Sequence, residues 1–93
     1  MKIGVIGLGK LGCSMFAAFA ASGNKVVGFD VNLESRNKLK RKIQPVVETD
    51  LQKELEFGFE NYEIVDKPTE VIEKSDVIYI IVPTPSLNDG TFD

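Results

Sequence analysis

The chain contains no histidine and only one cysteine, Cys13. These shortages exclude a disulfide framework and leave no donor set for a zinc site. Positive charge is also in short supply. Eleven lysines and arginines stand against 14 acids, a net charge of −3 at pH 7. A nucleic-acid surface needs the opposite balance. No apolar run is long enough to cross a bilayer. No signal-peptide pattern is visible, because Met1-Lys2 leads straight into a strand-like segment. Repeats and low-complexity tracts are missing beyond an alternation of strand-like and helix-like segments. These absences lead us to expect a cytoplasmic protein with no nucleic-acid or membrane partner.

What remains is an ordinary globular composition, 43% hydrophobic and 27% charged. The length suits one small domain or part of a larger one. Its most informative stretch is the first. The apolar run Ile3-Gly4-Val5-Ile6 is followed by Gly7-Leu8-Gly9-Lys10-Leu11-Gly12 and an apolar helical segment. A second apolar run, Val26-Val27-Gly28-Phe29, then ends on Asp30. Strand, glycine turn, helix, strand and acid occur in the order of a dinucleotide-binding fingerprint. Gly7 turns the chain out of the strand, Gly9 lets a pyrophosphate approach the backbone, and Gly12 lets the helix pack closely on the strand. Lys10, Leu11 and Gly12 open a helix whose free amides and dipole favour phosphate. Asp30 falls roughly 20 residues on, where an acid accepts hydrogen bonds from the adenosine ribose. A carboxylate there repels a 2′-phosphate, so the expected cofactor is NAD rather than NADP.

The periodicity predicts strands over Lys2 to Ile6, Lys25 to Phe29, Tyr62 to Val65 and Val77 to Val82. It predicts a first helix from about Lys10 to Ser22, with Leu11, Met15, Phe16 and Phe19 on one face. Asn32 is the expected N-cap of a second helix, faced by Leu39 and Ile43 and broken by Pro45. Thr49-Asp50-Leu51-Gln52 fits a capping box for a short helix through about Phe57. Asp66 fits the cap of a last helix, with Pro68 in its first turn and Val71 and Ile72 facing inward. The expected fold class is therefore α/β. It has a Rossmann-like parallel sheet of strand order 3-2-1-4 with flanking helices, truncated after strand four. Residues 1–93 are expected to form the N-terminal part of a dinucleotide-binding domain, with no second domain.

Three further candidates remain open at this level. Cys13, early in the first helix, is either a thiol activated by the helix amino end or a small packing residue. Arg36 either stacks on the adenine or reaches the ribose, or else is surface charge. The last strand runs into Val82-Pro83-Thr84-Pro85-Ser86. Ligands bind beyond the carboxyl ends of the strands at the switch point, so this loop should face the glycine turn. Val82, Pro83 and Thr84 are candidate cofactor contacts. The Thr84 and Ser86 hydroxyls either meet the nicotinamide half or belong to a plain turn.

With that loop in view, the chain resembles the UDP-glucose/GDP-mannose dehydrogenase family. The likeness rests on Lys2 to Gly12, on Asp30-Val31-Asn32, and on Val82-Pro83-Thr84-Pro85 followed by Asp89-Gly90 and Asp93. The chain departs from the family's pattern at Lys10, where an aromatic is common. Ser35 stands where a basic residue is usual, with Arg36 next. Pro45-Val46-Val47-Glu48-Thr49-Asp50-Leu51 keeps only part of the family's Pro-x-x-Glu-Pro-Gly-Leu pattern. The resemblance implies an enzyme that oxidises the C6 alcohol of a nucleotide sugar to a carboxylate in two NAD-dependent steps. It also implies a cysteine nucleophile, a lysine and a substrate domain further along. Cys13 does not match that nucleophile, so this chain is expected to bind NAD without performing the oxidation alone. The nucleotide-sugar substrate is expected only in the full-length enzyme. The fragment should self-associate through the bare edge of its fourth strand. Competing readings are an NAD-sensing regulatory module of the kind that controls potassium channels, and a dehydrogenase of the 6-phosphogluconate type.

Overall fold

The computed structural model describes residues 1–82. Four strands, β1 (Lys2–Ile6), β2 (Lys25–Phe29), β3 (Tyr62–Ile64) and β4 (Val77–Ile80), form one parallel sheet of order β3-β2-β1-β4. The helices are α1 (Lys10–Ala21), α2 (Leu33–Lys40), α3 (Leu51–Phe57) and α4 (Pro68–Lys74), with a 3-10 turn at Phe59–Asn61. The architecture and strand order are those expected. Short, β-branched, continuously apolar runs suit strands buried between helices, and each crossover here is long enough to return parallel.

The register sets the site. Ile6 lies opposite Phe29 on one side and opposite Ile80 on the other, so three carboxyl ends finish level. The ladder continues past them, with Gly7 N–H donating to Phe29 O at 2.9 Å and Ile81 N–H to Ile6 O at 2.8 Å. On one face of the sheet, Leu8, Phe16, Ala20, Val26, Leu39 and Leu55 belong to a single buried cluster. A smaller cluster of Val27, Phe29, Val65 and Val71 gathers where α4 packs on β1 and β2.

Several helix details differ from expectation, each for a local reason. Leu11 is 62% exposed, while Gly12, Cys13, Phe16, Ala17 and Ala20 turn inward. Seating Gly12 against the glycine turn rotates α1 and directs Leu11 to the open side. Helix α2 ends at Lys40, before Pro45 can break it. Lys42 adopts φ +61°, its N–H donates to Leu39 O, and Ile43 N–H donates to Lys38 O. This is the paired-bond terminus usually built on glycine, and it leaves Ile43 past the helix and exposed. Thr49 does not cap α3. Its N-cap is Asp50, at φ +65° with no side-chain bond, because Gln52 accepts instead from Gln44 N–H and donates to Lys42 O. Nor does Asp66 cap α4. Lys67 holds that position, and the Asp66 carboxylate is taken by two cations of α2. Val71 faces inward as expected, but Ile72 is 58% exposed, since so short a helix buries a single stripe. Strand β4 pairs with β1 on one side, and among the described residues nothing lies on its other edge. Val77, Tyr79 and Ile80 are exposed there.

Phe16 is fully buried and meets Tyr62 edge-on at 4.9 Å between ring centres. Phe16→Ala is expected to cost about 3–5 kcal/mol. Ile72→Ala should stay within about 0.5 kcal/mol of the wild type. Urea denaturation of both variants checks the pair, and equal losses would contradict this account of which side chains form the core.

Candidate functional site

Beyond the level carboxyl ends of β1, β2 and β4 lies a cleft of ≈ 360 Å³. Its lining is Gly7, Gly9, Lys10, Leu11, Gly12, Asp30, Ile81 and Val82. The chain leaves β1 through Gly7 at φ +100°, a conformation that a side chain resists. A Cβ at Gly12 would fall 1.8 Å from Gly7 O, so the first turn of α1 rests directly on the backbone of the glycine turn. At Gly9 a Cβ would meet nothing within 4 Å. The bend is therefore tight on its inner side and open on the side facing the cleft.

Helix α1 begins over that opening. Its N-cap is Gly9, which supplies no side-chain cap, and there is no acid in its first turn. The first intrahelical bond closes from Cys13 N–H to Gly9 O at 2.8 Å. The amides of Lys10, Leu11 and Gly12 precede it, so they lie among the donors a helix amino end leaves free. With the dipole uncompensated, this end favours an anion. The Lys10 ammonium sits at the rim, 3.3 Å from the Glu48 carboxylate.

Asp30, half-buried, reaches the same cleft from the end of β2. One of its oxygens accepts from Leu8 N–H at 2.7 Å and the other from Asn32 N–H at 2.8 Å. Both bonds fix the carboxylate and leave it further lone pairs to accept with. Asn32 caps α2 as expected, accepting from Ser35 N–H at 2.9 Å.

The structure thus brings together Gly7, Gly9, Lys10, Leu11, Gly12, Asp30 and Val82. Pro83, Thr84 and Ser86 lie outside the described residues. Arg36 adjoins Asp30 but does not line the cleft. Its side chain is 13% exposed, so it is not loose surface charge, and its guanidinium is spent on protein groups. Nη1 donates to Asp30 O at 2.8 Å, and the carbon of the guanidinium lies 5.3 Å from the centre of the Phe29 ring. Cys13 proves to be the packing residue. Burial, reinforced by the Asp30 charge, pushes its thiol up to about 12, so it is no nucleophile at neutral pH. Sequence reasoning missed Ile81, which follows from the register of β4, and the backbone bond from Leu8 to Asp30, which no side-chain pattern announces.

A parallel sheet with a glycine turn, an open helix amino end and a carboxylate at the next strand end defines a dinucleotide-binding module of the doubly wound kind. Comparison with known proteins makes this specific. Residues 1–93 match the model of the UDP-glucose/GDP-mannose dehydrogenase family, NAD binding domain, and the chain belongs to that family. A UDP-N-acetyl-D-mannosamine dehydrogenase of Yersinia pestis is 38% identical over 94% of this chain and 20% of its own length. A UDP-glucose 6-dehydrogenase of Bacillus subtilis is 36% identical over 99% of the chain and 20% of its own length. The crystal structure of a ternary complex of GDP-mannose dehydrogenase from Pseudomonas aeruginosa superposes with a TM-score of 0.90 at 29% identity. It matches 100% of this chain and 22% of that one. The chain therefore spans about a fifth of the length of the curated relatives it matches.

Past the end of β3, hydrogen bonds from Lys40 and then Arg36 hold the Asp66 carboxyl below the usual carboxylate range. A carboxyl lowered by folding contributes stability that is fully present above its unfolded pKa and is lost as pH falls through the folded value. The wild type is expected to lose more stability than Asp66→Asn on acidification through and below the ordinary carboxylate range. Urea denaturation across a pH series checks this, and parallel profiles would contradict it.

Proposed function

We propose that this chain seats NAD across the cleft as the N-terminal part of a dinucleotide-binding domain. The whole protein is then a cytoplasmic enzyme oxidising the C6 alcohol of a nucleotide sugar to a carboxylate. The carrying observation is the convergence on one cleft of the open side of Gly9, the amino end of α1 and the anchored carboxylate of Asp30.

Each residue then has a task. Gly7 and Gly12 hold the bend in place, and Gly9 clears the approach of the pyrophosphate. The amides of Lys10, Leu11 and Gly12 donate to its oxygens, with the Lys10 ammonium adding charge at the rim. Asp30 accepts from the ribose hydroxyls and rejects a 2′-phosphate. Arg36 acts behind the cleft, Val82 lines it, and Pro83 and Thr84 are proposed as further cofactor contacts. Bound NAD supplies the hydride acceptor. The chain's own part is to bind and orient it, since hydride transfer also needs a sugar alcohol held against the nicotinamide. None of the roles assigned above holds or deprotonates that alcohol. The 93-residue chain alone is therefore expected to bind cofactor without turnover.

The edge of β4, uncovered among the described residues, supports a second element of this reading, self-association of the isolated chain through Val77, Tyr79, Ile80 and Val82. An uncovered apolar strand edge is a template for another strand.

Titration calorimetry with NAD and NADP tests the cofactor assignment. NAD should bind more tightly, and Asp30→Ala should weaken NAD by about tenfold or more, the value of a hydrogen bond to a charged group. Tighter binding of NADP would overturn it. Sedimentation velocity tests the edge. A concentration-dependent dimer that Ile80→Lys abolishes is expected, whereas a monomer at every concentration would sink this part of the proposal.

A further inference from the structure

We propose that Asp66 and Arg36 are positioning residues for the cofactor. Asp66 orients the Arg36 guanidinium, and Arg36 in turn fixes the backbone that immediately follows the Asp30 Cα. This inference rests on the NAD reading above and concerns residues outside the cleft.

The geometry is a chain of contacts running from the far side of β2 to the cleft. Asp66 follows β3, whose exit is tied to the sheet by Val65 N–H donating to Gly28 O at 2.9 Å. The Asp66 carboxylate accepts from Lys40 Nζ at 2.9 and 3.0 Å and from Arg36 Nε at 3.2 Å. Two cations thus hold the carboxylate, and the carboxylate holds one edge of the guanidinium. The Phe29 ring lies against it, 5.3 Å from ring centre to the guanidinium carbon. Nη1 then donates to Asp30 O at 2.8 Å and to Val31 O at 3.3 Å. A guanidinium presents its donors in a rigid plane, so fixing one edge and one face fixes where the others point. The two carbonyls belong to the consecutive Asp30–Val31 and Val31–Asn32 peptides, and the first of these planes contains the Asp30 Cα. Their orientation sets the direction in which the Asp30 Cα–Cβ bond leaves the chain, and so the line along which its carboxylate meets Leu8 N–H and the cleft.

A pair that merely stabilised the fold would act on ligand affinity independently of Asp30. A relay acts through it. The discriminating measurement is a double-mutant cycle, with NAD affinity by calorimetry on the 93-residue chain, the Asp30→Asn and Asp66→Asn single variants and the double variant. Asp66→Asn alone should weaken NAD by roughly fivefold, and Arg36→Lys, which lacks the planar fork, should do the same. In the Asp30→Asn background, Asp66→Asn should change affinity by less than about twofold. A full additional loss in that background, or no loss in the wild-type background, would overturn the relay. Absence of NAD binding by the wild type, or no effect of Asp30→Asn, would overturn the NAD reading itself and this inference with it. A ligand-free readout accompanies the cycle. The Leu8 amide resonance reports its bond to Asp30 and should shift in Asp66→Asn. Perturbation confined to Arg36, Lys40 and their sequence neighbours would count against the relay.

Discussion

The bond from Leu8 N–H to the Asp30 carboxylate is the constraint on which the cleft depends. It joins the glycine turn after β1 to the acid after β2, two segments brought level by the sheet register. Without it, a half-buried backbone donor would lack its partner, which costs roughly 1–3 kcal/mol. The inner side of the same turn is set by contact rather than by hydrogen bonding, because Gly12 rests on Gly7 O with no room for a Cβ. Together these two features decide where the free end of α1 points. The anion-binding character of the site therefore follows from backbone placement more than from any cationic side chain.

The strands were legible because their signal is local. β1 and β2 occur over the expected residues, with β3 and β4 shorter by one and two. Continuous apolar runs between turn residues need no tertiary information to be read. The strand order followed from crossover handedness once two strands were placed. The glycines and Asp30 were legible for a related reason, since each answers a demand that only one or two residue types meet.

What escaped the sequence were competitions between partners. Asp66 and Gln52 have the right chemistry for helix caps, and in an isolated peptide the backbone amides would be their only partners. In the folded chain Asp66 meets Lys40 and Arg36 from a helix 26 and 30 residues away, and Gln52 meets the exposed backbone of the Lys42–Gln44 turn. For Asp66, charge-assisted partners win over a cap worth about 1 kcal/mol, while Gln52 satisfies both its donor and its acceptor on the turn's backbone. Leu11 was misplaced by a rotation of α1 that only the glycine contact explains. Arg36 was flagged by position, but the main-chain carbonyls it bonds carry no sequence signature.

The sealed sulfur of Cys13 has a practical corollary. As the chain's only cysteine lies on the buried face of α1 and is kept in its protonated form, native thiol chemistry is silent in the folded state. A dye or spin label attached through an engineered surface cysteine would therefore report from one chosen place. Val31, exposed beside the strand-end acid, offers such a vantage point without removing any native side chain from the interior.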